Sequence, residues 1–290
     1  MVRKKNSPKT ATYVMAAIGV VILAVGAGVI AGTWAGNNSA ANAATADGPT
    51  WINEIKQRGE LRVGCAEASP AITVQSDGTC TGPDLLPLQD VAEALDVKFV
   101  TVATTWQNII AGLQAGQYDI AADLDQTIER TLSIQYTNPS WSYPAVFLVK
   151  RDSGITTADQ ILTSTTPVAV AQGTSQDRAI SEVVTTEPLR VDNYQNAASA
   201  VNAGRATAVF TDLGVAVQNA QEDPTWGIIV PDPRILEVWV SYGVPQDVDA
   251  QSLQVLNIAI DQAVLSGDME RGFAEAGYID VEFLGDLEIK

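Results

Sequence analysis

From residue 51 onward, apolar residues fall in two rhythms that take turns along the chain. Short runs rich in Val, Ile and aromatic residues predict strands, and apolar positions three or four apart predict helices. The first half reads as a helix at 51–57 stopped by Gly59, a strand at 60–65 and a loop at 66–70. The Asp77-Gly78 pair marks a tight turn between extended pieces. Gly82-Pro83-Asp84 opens a helix whose apolar face is Leu85, Leu88, Val91, Ala92 and Leu95. A strand at 97–102 follows, then a helix starting near Trp106, with Ile109, Ile110 and Leu113 on one face and Gly116 at its end. A strand at 118–121, a short helical segment carrying Arg130 and an apolar strand at 145–150 complete a βαβαβ order. That order predicts a parallel sheet covered on both faces.

After a polar break at 151–154 the rhythm starts again. Strands at 167–171, 189–192 and 206–211 alternate with helices at 176–184, 195–202 and 213–220. Pro231-Asp232-Pro233 reads as a connection. A strand at 238–244 and helices at 250–266 and 268–276 come last, too few for a third domain. They most simply complete the first sheet. The predicted architecture is therefore α/β in two lobes: 47–150 joined by 237–290, and 151–236 between them, with the chain crossing twice.

The amino terminus changes the picture of where this fold works. Arg3, Lys4, Lys5 and Lys9 precede an uncharged run at 13–35, long enough to span a bilayer. The basic flank should stay in the cytoplasm and place the rest outside. The run is longer than an ordinary signal-peptide core, which favours a retained anchor, while Ala41-Asn42-Ala43 fits a cleavage site. Either way 1–46 lies outside the fold. In an exported protein the pair Cys65 and Cys80 most often closes a disulfide loop; two free buried thiols are the other option.

Composition then removes several functions. The formal net charge of −17 offers no basic patch to replace phosphate counterions, so nucleic acid is excluded as a partner. The chain has no His and two Cys, which rules out Ser/His/Asp and Cys/His catalysis and a Cys-rich metal site. No cofactor is expected.

What remains is a set of polar groups at strand ends, where open α/β sheets bind ligands. Asp123 and Asp125 follow the strand at 118–121, with Arg130 just beyond. Gly173-Thr174-Ser175-Gln176 turns into a helix, Asp212 ends a strand and Trp106 starts a helix. Each has a plainer reading alone. Arg130 would pair with Glu129 or Asp125 on the surface, Thr174, Ser175 and Asp212 would cap helices, and Trp106 would fill core. Together they supply a cation, an anion and an aromatic wall, which describes an amino-acid site.

At this point the sequence resembles the polar-amino-acid type of periplasmic solute-binding protein that feeds ABC importers. The likeness covers about 51–280 and rests on several motifs in register. They include Gly59-Glu60-Leu61-Arg62-Val63-Gly64, Gly82-Pro83-Asp84-Leu85-Leu86, the unit from Trp106 to Asp119, and Thr127-Ile128-Glu129-Arg130 with Tyr136-Thr137-Asn138-Pro139. Gln172-Gly173-Thr174-Ser175-Gln176, Ala208-Val209-Phe210-Thr211-Asp212 and Ser241-Tyr242-Gly243-Val244 complete the set. The resemblance implies a two-lobed, type II binding-protein fold with a two-strand hinge that closes on its ligand. It implies Arg130 on the ligand carboxylate, Asp212 on the amine and Trp106 stacked on the side chain. Thr174, Ser175 and Gln176 would line the second lobe, and Glu67 and Ser69 would face the ligand side chain.

One departure stands out: the family usually has Gly, Ser or Thr where this chain has Asp123 and Asp125. Two carboxylates there repel a ligand carboxylate and favour a ligand with extra positive charge. The other option turns Asp125 outward as a cap for Thr127 and Ile128. The expected function is an extracytoplasmic, monomeric receptor, membrane-anchored or secreted, for an amino acid or related amine, serving an ABC permease. The same fold also hosts cyclohexadienyl dehydratases, for which Glu67, Asp123 or Asp125 would be the acid or base, and ligand-sensing ectodomains.

Overall fold

The computed structural model describes residues 50–289, so the expected anchor or signal at 1–46 lies outside the described residues. The chain opens with α1 (Trp51–Arg58), β1 (Glu60–Cys65) and a two-stranded ribbon of β2 (Thr73–Val74) and β3 (Cys80–Thr81). Next come α2 (Leu86–Leu95), entered through a tight 3-10 turn at Pro83–Leu85, and β4 (Lys98–Ala103). Then α3 (Ile109–Gln114), β5 (Ile120–Asp125), α4 (Ile128–Thr131), β6 (Gln135–Tyr136) and the long β7 (Trp141–Lys150) follow. The second half holds α5 (Ala158–Leu162), β8 (Ala169–Ala171), α6 (Ser175–Ser181), β9 (Leu189–Val191) and α7 (Tyr194–Asn202). It continues with β10 (Val209–Asp212), α8 (Leu213–Glu222), β11 (Trp226–Ile229), β12 (Glu237–Val244), α9 (Ala250–Leu265) and α10 (Asp268–Glu275).

The strands lie in the order β4-β1-β5-β12-β7-β10-β8-β9, with β6 paired to β12 and β11 to β7. β4, β1 and β5 run parallel, as the βαβ pattern requires, and so do β10, β8 and β9. β7 joins the two groups. Its first residues pair with β12, Trp141 opposite Val240 and Pro144 opposite Glu237. Its later residues pair with β10 and β11, Ala145 opposite Asp212 and Phe147 opposite Ile229. Each group has its own core. Leu61, Val63, Leu88, Ile120, Leu256 and Ile260 are fully buried in the first, and Leu148, Val209, Leu213, Val217 and Ile228 in the second.

Several elements differ from the sequence reading, three of them near the site or the chain's end. The strand expected at 118–121 starts at Ile120 and continues through Asp125, because β12 pairs along it. Before it, Tyr118 is buried, with its hydroxyl donating to the Ile109 carbonyl at 2.6 Å. The helix expected from Trp106 begins at Ile109, leaving Trp106 in the turn before it. The carboxyl-terminal tail departs from the assignment of 237–290 to the first lobe. Leu284 and Leu287 join the second core, and Ile289 N–H donates to the Ile228 carbonyl at 2.8 Å. The tail thereby covers a β11 edge that would otherwise present unpaired backbone groups. Cys65 and Cys80 form a disulfide that ties the end of β1 to the ribbon.

Candidate functional site

β5 and β12 do not pair evenly. Ser241 faces Leu124 and Gly243 faces Ala121, so β5 spends one more residue than β12 over the same stretch. That is a bulge. Asp123 sits inside it with φ +58°, in the left-handed region that few residues besides Gly, Asn and Asp enter. The bulge leaves both Asp123 and Asp125 buried, each 7% exposed. Both line one cavity between the two groups of strands. Asp125 thus does not turn outward. Thr127 is the cap of α4, accepting the Arg130 N–H at 3.2 Å.

Asp125 is held from several directions. Its Oδ1 accepts the Tyr143 hydroxyl at 2.8 Å, and its Oδ2 accepts a short hydrogen bond from Ser175 Oγ. Its carbonyl accepts Tyr136 O–H at 2.7 Å and Arg130 Nη1 at 3.1 Å. Gln176 Nε2 donates to Tyr143 Oη at 2.6 Å. Arg130 reaches on to the Gly173 carbonyl at 3.2 Å. It therefore bridges β5 to the loop before α6, rather than pairing with Glu129, which forms its ion pair with Arg178. Asp123, by contrast, receives no hydrogen bond on its carboxylate from the described residues, as the neighbouring donors go elsewhere.

The second side of the cavity comes from helix starts. Thr174 caps α6, accepting Asp177 N–H at 3.1 Å and donating to the Ala171 carbonyl at 2.8 Å. Asp212 caps α8 through Oδ1, which accepts Val215 N–H at 2.8 Å, and still lines the cavity. The capping and site readings are therefore not exclusive for these residues. The wall is aromatic: Trp106, Trp141, Tyr143 and Tyr194. The enclosed space is about 20 Å³, room for the centre of about one water.

Three expected residues are absent from the lining: Ser175, which meets it only through its hydrogen bond to Asp125, and two that lie elsewhere. Glu67 and Ser69 do not line this cavity. The Glu67 carboxylate accepts the N–H groups of Ser69 and Val74 at 3.2 and 2.6 Å, and Ser69 Oγ bonds Thr73 Oγ1 at 2.8 Å. Both serve the 67–74 loop, whose Ala68 and Ala71 reach the cavity instead. The sequence reading missed Trp141, Tyr143 and Tyr194, which by type and place look like core aromatics. It also gave no role to Asp84, which is fully buried beneath the site. Asp84 Oδ1 accepts from Ser140 Oγ and Tyr242 Oη at 3.3 and 3.2 Å, while Oδ2 has no partner among the described residues.

Burial raises all four carboxylates. Asp123 is pushed well above the usual range by burial first and then by the charges of Asp84, Asp125 and Asp212. Asp84 rises by burial against the hydrogen bonds it accepts. Burial also raises Asp125, opposed by Arg130, Ser175 and Tyr143. Asp212 is raised to about 7, again mainly by burial. Carboxylates poised this way take up a cation readily, since a positive neighbour favours their ionised form.

Comparison with known proteins agrees with this geometry. The family of bacterial extracellular solute-binding proteins, family 3, matches residues 61–274. A probable histidine-binding protein of Campylobacter jejuni is 20% identical over 74% of this chain and 84% of its own length. The ABC transporter arginine-binding protein 1 of Escherichia coli is 26% identical over 63% of this chain and 77% of its own. The crystal structure of an ancestral amino-acid-binding protein, a precursor of cyclohexadienyl dehydratase, superposes with a TM-score of 0.71 at 26% identity. It covers 79% of this chain and is itself covered completely. With its two-lobed sheet, its interlobe cavity and a family match over most of its length, the chain belongs to the bacterial extracellular solute-binding proteins of family 3.

Proposed function

We propose that this extracytoplasmic receptor captures a cationic amino acid, or a related amine, by closing its lobes over it, and delivers it to an ABC permease. The observation that carries the reading is the lining of the cavity: Asp123, Asp125 and Asp212 against the single guanidinium of Arg130, within an aromatic wall. Asp212 and Asp123 take the ammonium groups, Trp106 stacks on the side chain, and Thr174, Ser175 and Gln176 complete the second side. For an amino acid, Arg130 is the group that receives the carboxylate. One lobe is formed by 50–150 with 237–277, the other by 151–236 with 278–289, and β7 and β12 carry the hinge. The uncharged run at 13–35 holds the receptor at the membrane as a retained anchor.

The family consists of solute-binding proteins, and the cleft is read as a binding site without chemistry. A thermal-shift panel tests this on residues 47–290, using amino acids of each charge, diamines, guanidino compounds and prephenate. A ligand at 100 times its dissociation constant adds about 2.7 kcal/mol of stability. Arginine, lysine or an amine is expected to shift the transition, and glutamate is not. Asp212→Asn is expected to weaken the best ligand at least ~10-fold, since a buried charge loses its partner. Stabilisation by glutamate alone, or turnover of prephenate, would overturn the reading.

A further inference from the structure

We infer that the cleft selects a small organic amine or guanidine that has no carboxylate, because Asp125 supplies that carboxylate from within the chain. The inference rests on the reading of the cavity as the solute site and names the class of solute it takes. A ligand carboxylate would need Arg130 and the hydroxyl donors facing it. The hydroxyl donors are already engaged, and Arg130 has committed two of its five N–H groups. Ser175 Oγ and Tyr143 Oη both donate to the Asp125 carboxylate, from opposite sides of the cleft. Arg130 directs one Nη to the Asp125 carbonyl and the other to the Gly173 carbonyl. An incoming carboxylate would have to lie against the buried Asp125 carboxylate to reach the same groups, and like charges in a desolvated site repel strongly.

The rest of the lining points the same way. Facing the cavity are Asp123, Asp125, Asp212, Arg130, Tyr143 and Tyr194, with Asp84 buried behind them. One guanidinium stands against three carboxylates. A zwitterionic amino acid brings one charge of each sign and leaves that imbalance as it was. An amine or guanidine brings positive charge only, and a dication offsets the excess. Asp123 is the free receiver, since it is 7% exposed and no described residue donates to its carboxylate. The aromatic wall of Trp106, Trp141, Tyr143 and Tyr194 suits the same guest, because ring faces attract desolvated cations. Among the described residues no three of His, Cys, Asp or Glu are placed to hold a metal ion.

Matched pairs that differ only in the carboxylate test this: arginine with agmatine, lysine with cadaverine, ornithine with putrescine. Each is titrated into the full-length chain by calorimetry. The amine of the best-bound pair is expected to bind at least ~10-fold tighter than its amino acid, the order of one uncompensated charge contact. Asp125→Ser is expected to move that ratio at least ~10-fold toward the amino acid, by removing the repelling charge and freeing Tyr143 and Ser175. Should that variant fail to fold, Asp125→Asn keeps the shape, removes the charge and reports the same ratio. Amino acids that bind as tightly as their amines would overturn the inference and leave the receptor reading in place. An Asp125→Ser ratio equal to the parent's would also overturn it. Binding of glutamine or another neutral amino acid, with none of the six titrating, would overturn the inference and the cationic ligand together. Silence from every solute would remove the receptor reading itself.

Discussion

Asp123 carries two unfavourable features at one position. Its backbone is left-handed inside a strand, and its buried carboxylate has no donor among the described residues. Strain of this kind costs about 1–3 kcal/mol and persists where a site needs it. Asp123→Gly removes both, because glycine enters that backbone region freely. The unliganded variant is expected to gain about 1–3 kcal/mol, a rise of several degrees in melting temperature. Its affinity for the cationic ligand proposed above is expected to fall. An unchanged or lower melting temperature would show that the conformation is not strained. The chain announced this residue as a departure from a pattern of small side chains, but not its orientation. That depends on a bulge set by β12, more than a hundred residues away in sequence. Tyr143 and Tyr194 were hidden for a simpler reason. An aromatic in a strand or at a helix start reads as core, and only the closing of the cleft turns it toward a ligand. Glu67 misled because a carboxylate near a strand end signals a site equally when it only bonds its own loop.

Among the elements, β7 shows what local pattern misses. Pro144 breaks the apolar run, which makes the strand appear to begin at Ala145. It begins at Trp141, and Pro144 lies where the strand leaves β12 for β10, so its missing N–H interrupts little. β11 escaped notice because four residues containing a glycine are too few to show alternation. The parallel units were legible because apolar runs and helical spacing alternate regularly along them, even where the strand is as short as β8 or β9. The proposed closure of the cleft brings in another short element, the loop before α6, which lies against Gln107. Gly173 has φ +82°, and a Cβ there would lie 2.9 Å from Gln107 Cα, across the cleft. Gly173→Ala is expected to weaken ligand binding at least ~10-fold by holding the lobes apart, on top of about 1 kcal/mol of backbone strain. Gly204→Ala supplies the comparison. It has φ +68° but nothing within 4 Å of an added Cβ, so it carries the strain without the clash. Calorimetry on both variants decides: equal affinities would mean that the Gly173 contact plays no part in closure.

At the scale of the whole molecule, the buried carboxylates tie binding to protons. Asp212 titrates at about 7 in the folded protein, and Asp84 and Asp123 are also raised, chiefly by burial. In the unfolded chain such groups titrate near ~3.9. Above the unfolded value the folded state holds protons that the unfolded state has released, so stability falls as pH rises from about 4 through about 7, where Asp212 titrates. Asp77, Asp223, Asp249 and Asp268 are lowered and act the opposite way, but only below the ordinary carboxylate range. The unliganded protein is therefore expected to melt at a higher temperature at pH 5 than at pH 8, and Asp212→Asn is expected to narrow that difference. A bound cation favours the ionised carboxylates, so binding should release protons and affinity should rise with pH through the same window. Titrations at pH 6.5 in two buffers of different ionisation heat measure the protons directly. Heats that do not depend on the buffer would mean that the carboxyl groups keep one protonation state through binding, and that the ligand's charge does not draw protons from them.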